Sequence, residues 1–198
     1  MLALSDGVFA FAITLLVLDL VVPSLTVRDV VGELLGEWPQ FLAHIISFAT
    51  IGAAWLAHSA ITDHMARSDS TFARLNLLVL LLVSFMPYPT RLLSIFIASD
   101  TRERIAVTLY GASGLLLIGL LWLLWAYARR EGLFDAEVSG DELALFTGRM
   151  LPGMACYAAL IIVGWFLPMV AVIGYAVIAL YFIIPFRLRR LHRQQRLQ

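Results

Sequence analysis

The sequence predicts an all-α, polytopic membrane protein with six transmembrane helices per subunit, and three observations carry that expectation. Of its 198 residues, 61% are hydrophobic. Only 14% are charged, against about 25% in an ordinary soluble domain. Long apolar runs recur from one end to the other and leave no polar stretch of about 100 residues for a separate soluble domain, so 1–198 reads as a single transmembrane domain.

A hydrocarbon core of about 30 Å takes roughly 20 apolar residues to cross as a helix. On that measure the spans fall at about 4–22, 39–61, 75–97, 105–127, 150–167 and 169–186. The first is no signal peptide: no basic segment precedes it, Asp6 and Asp19 lie in it, and no small-residue cleavage site follows. The last two spans come from one unbroken apolar stretch that would run about 55 Å as a single helix, too long for the core. Pro168 is the expected point of reversal, because proline lacks an amide hydrogen and disfavours helix in the residue before it.

Six spans put both termini on one side. All fourteen basic residues are Arg. With the termini inside, Arg67, Arg74, Arg129, Arg130, Arg149 and the tail residues Arg187, Arg189, Arg190, Arg193 and Arg196 are inner, while Arg28, Arg91, Arg102 and Arg104 are outer. The imbalance predicts cytoplasmic termini in a multi-pass protein of the cell membrane. Residues 26–38 read as an outer loop with a short surface helix, and 131–142 as an acidic inner loop. Cys156, the sole cysteine, excludes an intrachain disulfide or a cysteine metal cluster.

The first span carries the most information. At 100° per residue with Phe11 at zero, Thr14 falls at about −60°, Leu15 at about +40° and Leu18 at about −20°, one apolar stripe bearing a single hydroxyl. Ser5 at about +120° and Asp6 at about −140° point away from it, into the bundle. A buried carboxylate needs partners, and Trp55, His58 and Asn76, near the inner ends of neighbouring spans, are the candidates for a polar brace. Asp19 lies about 80° off the stripe at the outer end, where its charge would enrich cations at a mouth. Asp63, His64 and His58 show no metal-ligand spacing, so no metal is expected.

The run from Ser5 to Leu18 closely resembles the F-S-D-G-V-F-A-I-A-I-T-L-L signature of the transmembrane protein 175 family of potassium channels, in its bacterial branch. Leu75-Asn76-Leu77-Leu78 and Val83-Ser84-Phe85-Met86-Pro87-Tyr88-Pro89-Thr90 resemble that family's third span, and Trp55 with His58 resembles its tryptophan and histidine near the end of the second. The resemblance implies a homotetramer in membrane lipid, a pore lined by the first helix, potassium as the permeant ion, and no cofactor, nucleic acid or catalytic residue. Carried over by position, Phe11 is the constriction, with Thr14, Leu15 and Leu18 above it. Two departures stand out. The family has Ile or Leu where Phe11 stands, and its motif opens with an Arg that would here precede Met1.

Two other classes were weighed. A secondary transporter or proton pathway wants titratable groups near the bilayer midplane, whereas Asp6, Asp19 and His58 lie near span ends and only His44 lies inside an outer half. A membrane enzyme wants clustered His, Asp and Glu in a cavity, and here the polar residues are scattered.

Overall fold

The computed structural model describes residues 2–20, 30–97, 100–135 and 140–183. Among these the chain is helical: α1 (Leu2–Leu15), continued by a 3-10 turn (Leu16–Asp19), α2 (Val30–Gly36), α3 (Trp38–Thr62), α4 (Ser70–Phe85), α5 (Pro87–Phe96), α6 (Asp100–Arg130), α7 (Gly140–Phe166) and α8 (Pro168–Ile183). Among the described residues, four helical stretches are long and apolar enough to cross a membrane: Leu2–Asp19, Trp38–Thr62, Ser70–Phe96 and Arg102–Arg130. Met150–Phe166 and Pro168–Ile183 are shorter apolar helices. The ends of the first and last expected spans, residues 21–22 and 184–186, lie outside the described residues, as do the tail arginines.

The helices overrun the expected spans where polar residues can continue or cap them. The Asp69 carboxylate starts α4 by accepting the Phe72 amide at 2.7 Å, and its other oxygen accepts the Tyr127 hydroxyl at 2.7 Å. These donors, the Phe72 amide first, hold the Asp69 carboxyl below the usual carboxylate range. Its contribution to stability is therefore present at neutral pH and is lost as acid protonates it. At its C-terminus α6 closes with Gly132 at φ 60°, while the Leu133 amide reaches the Ala128 carbonyl at 2.9 Å and the Gly132 amide reaches Arg129 at 3.3 Å. Only glycine takes that left-handed position without cost. The segment expected as an acidic loop over 131–142 is shorter than that, because α7 already begins at Gly140. Its first part instead pairs with the α3–α4 connection, where an isolated bridge joins Met65 and Phe134 and the Asp135 amide donates to the His64 carbonyl at 2.9 Å.

The third span is broken. Pro87 and Pro89 cannot donate to the carbonyls four residues back, so α4 ends at Phe85 and α5 starts at Pro87. The Thr90 hydroxyl lies 2.8 Å from both the Met86 carbonyl, which also accepts the Thr90 amide at 3.3 Å, and Ser47 Oγ. Ser47 and Thr50 each sit 3.2 Å from the Tyr110 hydroxyl, so four buried hydroxyls satisfy one another between α3, α5 and α6.

α7 and α8 reverse at Leu167, just before Pro168. Gly164 meets Ala171, Leu160 meets Gly174, Tyr157 stacks on Tyr175 with ring centroids 5.5 Å apart, and Gly153 meets Phe182. Contacts that rise along one helix as they fall along the other make an antiparallel hairpin. α6 packs along this hairpin through small residues: a Cβ on Gly111 would lie 2.0 Å from the Tyr175 hydroxyl and 2.9 Å from Ile161 Cγ1. Tyr175 is fully buried and also faces Tyr110 at 5.6 Å, so it has nowhere to retreat. Gly111→Ala should therefore destabilise the bundle by about 1–3 kcal/mol through overpacking, even after the gain of roughly 1 kcal/mol in helix propensity. Thermal unfolding in detergent checks this, and an unchanged midpoint would mean that the α6–hairpin contact is loose.

Candidate functional site

α1 presents two unlike faces. Ser5, Phe9 and Ala12 are buried on the helix that packs against α3 and α4, and Leu16 is buried in the 3-10 turn that packs against α3 and α5. They recur at helical spacing and centre about 130° from Phe11, which is the amphipathic register expected of a helix packed on one side only. On the opposite face Phe11 is 65% exposed and Leu18 75%, Thr14 is exposed, and Leu15 is half-buried. Among the described residues, the four stripe residues thus share a face left largely open, with Leu15 alone half-covered. Thr14 turns its hydroxyl proton back to the Phe11 carbonyl at 2.8 Å, which leaves the oxygen lone pairs free to meet a cation.

The same register places two further residues on the stripe. Leu4 and Gly7 fall at about +20° and −40°, on the stripe, below Phe11. Leu4 is exposed, and nothing lies within 4 Å of a Cβ built on Gly7. The signal lies in the same angular arithmetic that sets Ser5 and Asp6 apart from the stripe.

Behind the stripe, the polar residues at the inner end come together. Asn76 Nδ2 donates to Ser5 Oγ at 3.0 Å, and Asn76 Oδ1 lies 2.7 Å from His58 Nε2. Since the amide oxygen only accepts, this pairing places the imidazole proton on Nε2. Ser5, His58 and Asn76 are all buried, and the Phe9 ring lies 5.5 Å from the His58 ring. Trp55 Nε1 donates to Asp6 Oδ1 at 2.9 Å. In this last pair the expectation needs correcting: Asp6 is exposed at the edge of the subunit rather than turned into the bundle, because at about −140° it lies past the buried centre of the helix. Ser5 is the residue that points inward.

The outer end also departs from a simple helix. Residues Leu16–Asp19 wind as a 3-10 turn. At about 120° per residue this carries Asp19 to roughly 160° from the stripe, instead of 80°. Its carboxylate accordingly faces α5, where Oδ1 lies 3.7 Å from Arg91 Nη1; the Asp19 side chain is only 17% exposed and that of Arg91 is 67%. No feature of the sequence signals this pairing across 72 positions.

Comparison with known proteins gives a consistent answer. The family model described as endosomal/lysosomal potassium channel TMEM175 matches residues 1–87. A Streptomyces collinus protein named as a potassium channel is 32% identical over 91% of this chain and 88% of its own length. The mouse endosomal/lysosomal proton channel TMEM175 is 35% identical over 54% of this chain, which spans only 23% of the mouse protein. The crystal structure of a lysosomal potassium-selective channel TMEM175 homologue from Chamaesiphon minutus superposes with a TM-score of 0.81 at 33% identity, covering 91% of this chain and 93% of that one. Nearly full-length likeness in sequence and in fold means that this chain belongs to the TMEM175 family.

Proposed function

We propose that this protein is a potassium-selective ion channel, not an enzyme, in which four copies of the chain surround a pore lined by α1. The carrying observation is the bare face of α1: a large aromatic side chain exposed beside Thr14 and Leu18, on a helix whose other face is locked into the subunit. In a tetramer that face closes around an axis, with Phe11 as the narrowest ring and Thr14, Leu15 and Leu18 lining the way outward. Gly7 leaves the inner approach wide. An ion must shed water to pass an apolar ring, potassium holds its water less tightly than sodium, and such a ring also gates by dewetting.

On this reading Ser5, Asp6, Trp55, His58 and Asn76 brace the pore helix from behind, and Asp19 belongs to the outer mouth. The hairpin of α7 and α8 supplies two short spans, so each subunit crosses the cell membrane six times with both termini in the cytoplasm. The name of the mouse relative supports a second reading, proton conduction, through the same pore.

One flux experiment separates the two. In potassium-loaded liposomes diluted into sodium medium, a potassium channel acidifies the vesicles only when a protonophore is added, as potassium leaves and protons follow. A proton channel acidifies them without protonophore once valinomycin sets the potential. The expected result is protonophore-dependent quenching of a pH dye, fast with potassium inside and slow when sodium replaces it. Quenching that ignores the internal cation would remove the potassium reading.

A further inference from the structure

The charge of Asp19 is already answered within its own subunit. α5, which begins after the break at Met86, packs on the 3-10 turn and brings Arg91 to 3.7 Å from the carboxylate. Thr90, the residue before it, is buried and hydrogen-bonded to Ser47 and to the Met86 carbonyl, so the backbone that presents Arg91 is fixed in rotation. The 3-10 winding turns Asp19 toward this arginine and away from the stripe. Both charges therefore stand at one place, close to the outer end of the pore helix, and sum to zero.

Resting on the channel reading above, we infer that Arg91 is a specificity-determining residue of the outer mouth: it neutralises Asp19 and so sets how strongly the mouth attracts cations. A mouth with four free carboxylates would concentrate any cation. A mouth with four paired ones leaves discrimination to the apolar ring, and the pore gives up throughput at low salt in exchange.

The magnitudes define the test. One unit charge about 10 Å from an ion in water changes its local concentration about twofold at low ionic strength, and the effect disappears where the screening length falls to about 3 Å. Single-channel recordings of the reconstituted full-length protein are made in symmetric KCl of about 20 mM and about 1 M. Arg91→Gln leaves Asp19 uncompensated in all four subunits at once and is expected to raise, several-fold at low salt, the current of cations entering from the Asp19 end. Asp19→Asn leaves Arg91 uncompensated in all four and should lower that current by a similar factor. The double variant restores neutrality and should return to wild type, as should Arg91→Lys, and at about 1 M all of them should conduct alike. Melting points of the variants in detergent report separately on folding.

Several outcomes would overturn the inference. Wild-type currents that Arg91→Gln leaves unchanged at low salt, or a double variant that keeps the effect of either single change, overturn it alone. A wild type that passes no potassium current overturns the channel reading and this inference with it.

Discussion

Phe11→Ala is expected to raise potassium flux on the order of tenfold and to lower the preference for potassium over sodium. A tenfold change corresponds to about 1.4 kcal/mol in a barrier, a modest part of what a dry apolar ring imposes on a monovalent ion. The argument starts from exposure: Phe11 is 65% open in the subunit, at the centre of a face that own-chain contacts leave bare. Four phenyl rings on one axis fill more of it than four isoleucines would, so the resting ring should be closed and dry. Truncation to alanine leaves an opening wide enough to stay hydrated, and a hydrated ion no longer reports its dehydration cost. Phe11→Ile supplies the comparison, with flux between the two and selectivity retained. Flux and reversal-potential measurements decide it. Unchanged conductance together with unchanged selectivity in Phe11→Ala would remove this residue from the pore.

The parts of this molecule that follow a local period were legible in the sequence. The stripe on α1 and its buried counterface follow from the 3.6-residue repeat, and the α7–α8 reversal follows from the length of apolar chain a bilayer can hold. The inner polar cluster was legible as a set of residues, through the need of buried polar groups for partners, but its pairing was not. Asn76 joins His58 to Ser5, while Asp6 takes Trp55. The break at Met86 was written in Pro87 and Pro89 and could have been read. The 3-10 turn was not, since Leu16-Val17-Leu18 carries no glycine or proline to mark a change of winding. That turn moves Asp19 by about 80°, and with it went the Arg91 pairing, which depends on how α5 leaves the proline break. The hydroxyl cluster of Ser47, Thr50, Thr90 and Tyr110 was invisible for a related reason: each member looks like an ordinary polar residue in an apolar helix until tertiary packing brings them together.

Asn76→Leu should be the most damaging single change behind the pore helix. The side chain is buried and has the same branched heavy-atom skeleton as leucine, so the substitution keeps the shape, adds the bulk of two methyl groups and removes the hydrogen-bonding capacity. Two buried groups then lose a partner at once, the Nε2 proton of His58 and the hydroxyl of Ser5. An unsatisfied buried group costs about 1–3 kcal/mol, and since Ser5 loses one interaction rather than its last, the cost falls mainly on His58 and is expected to be about 1–3 kcal/mol. Ser5 is the inward-facing residue at the start of α1, so this loss frees the inner turn of the very helix whose other face lines the proposed pore. The expected result is a lower melting point in detergent and a loss of most potassium flux. Asn76→Gln, which keeps both the donor and the acceptor on a longer arm, should recover part of each. Flux at the wild-type level in an Asn76→Leu protein of lowered melting point would show that the cluster stabilises the subunit without holding the pore helix in place, whereas unchanged values of both would show that Ser5 and His58 find other partners.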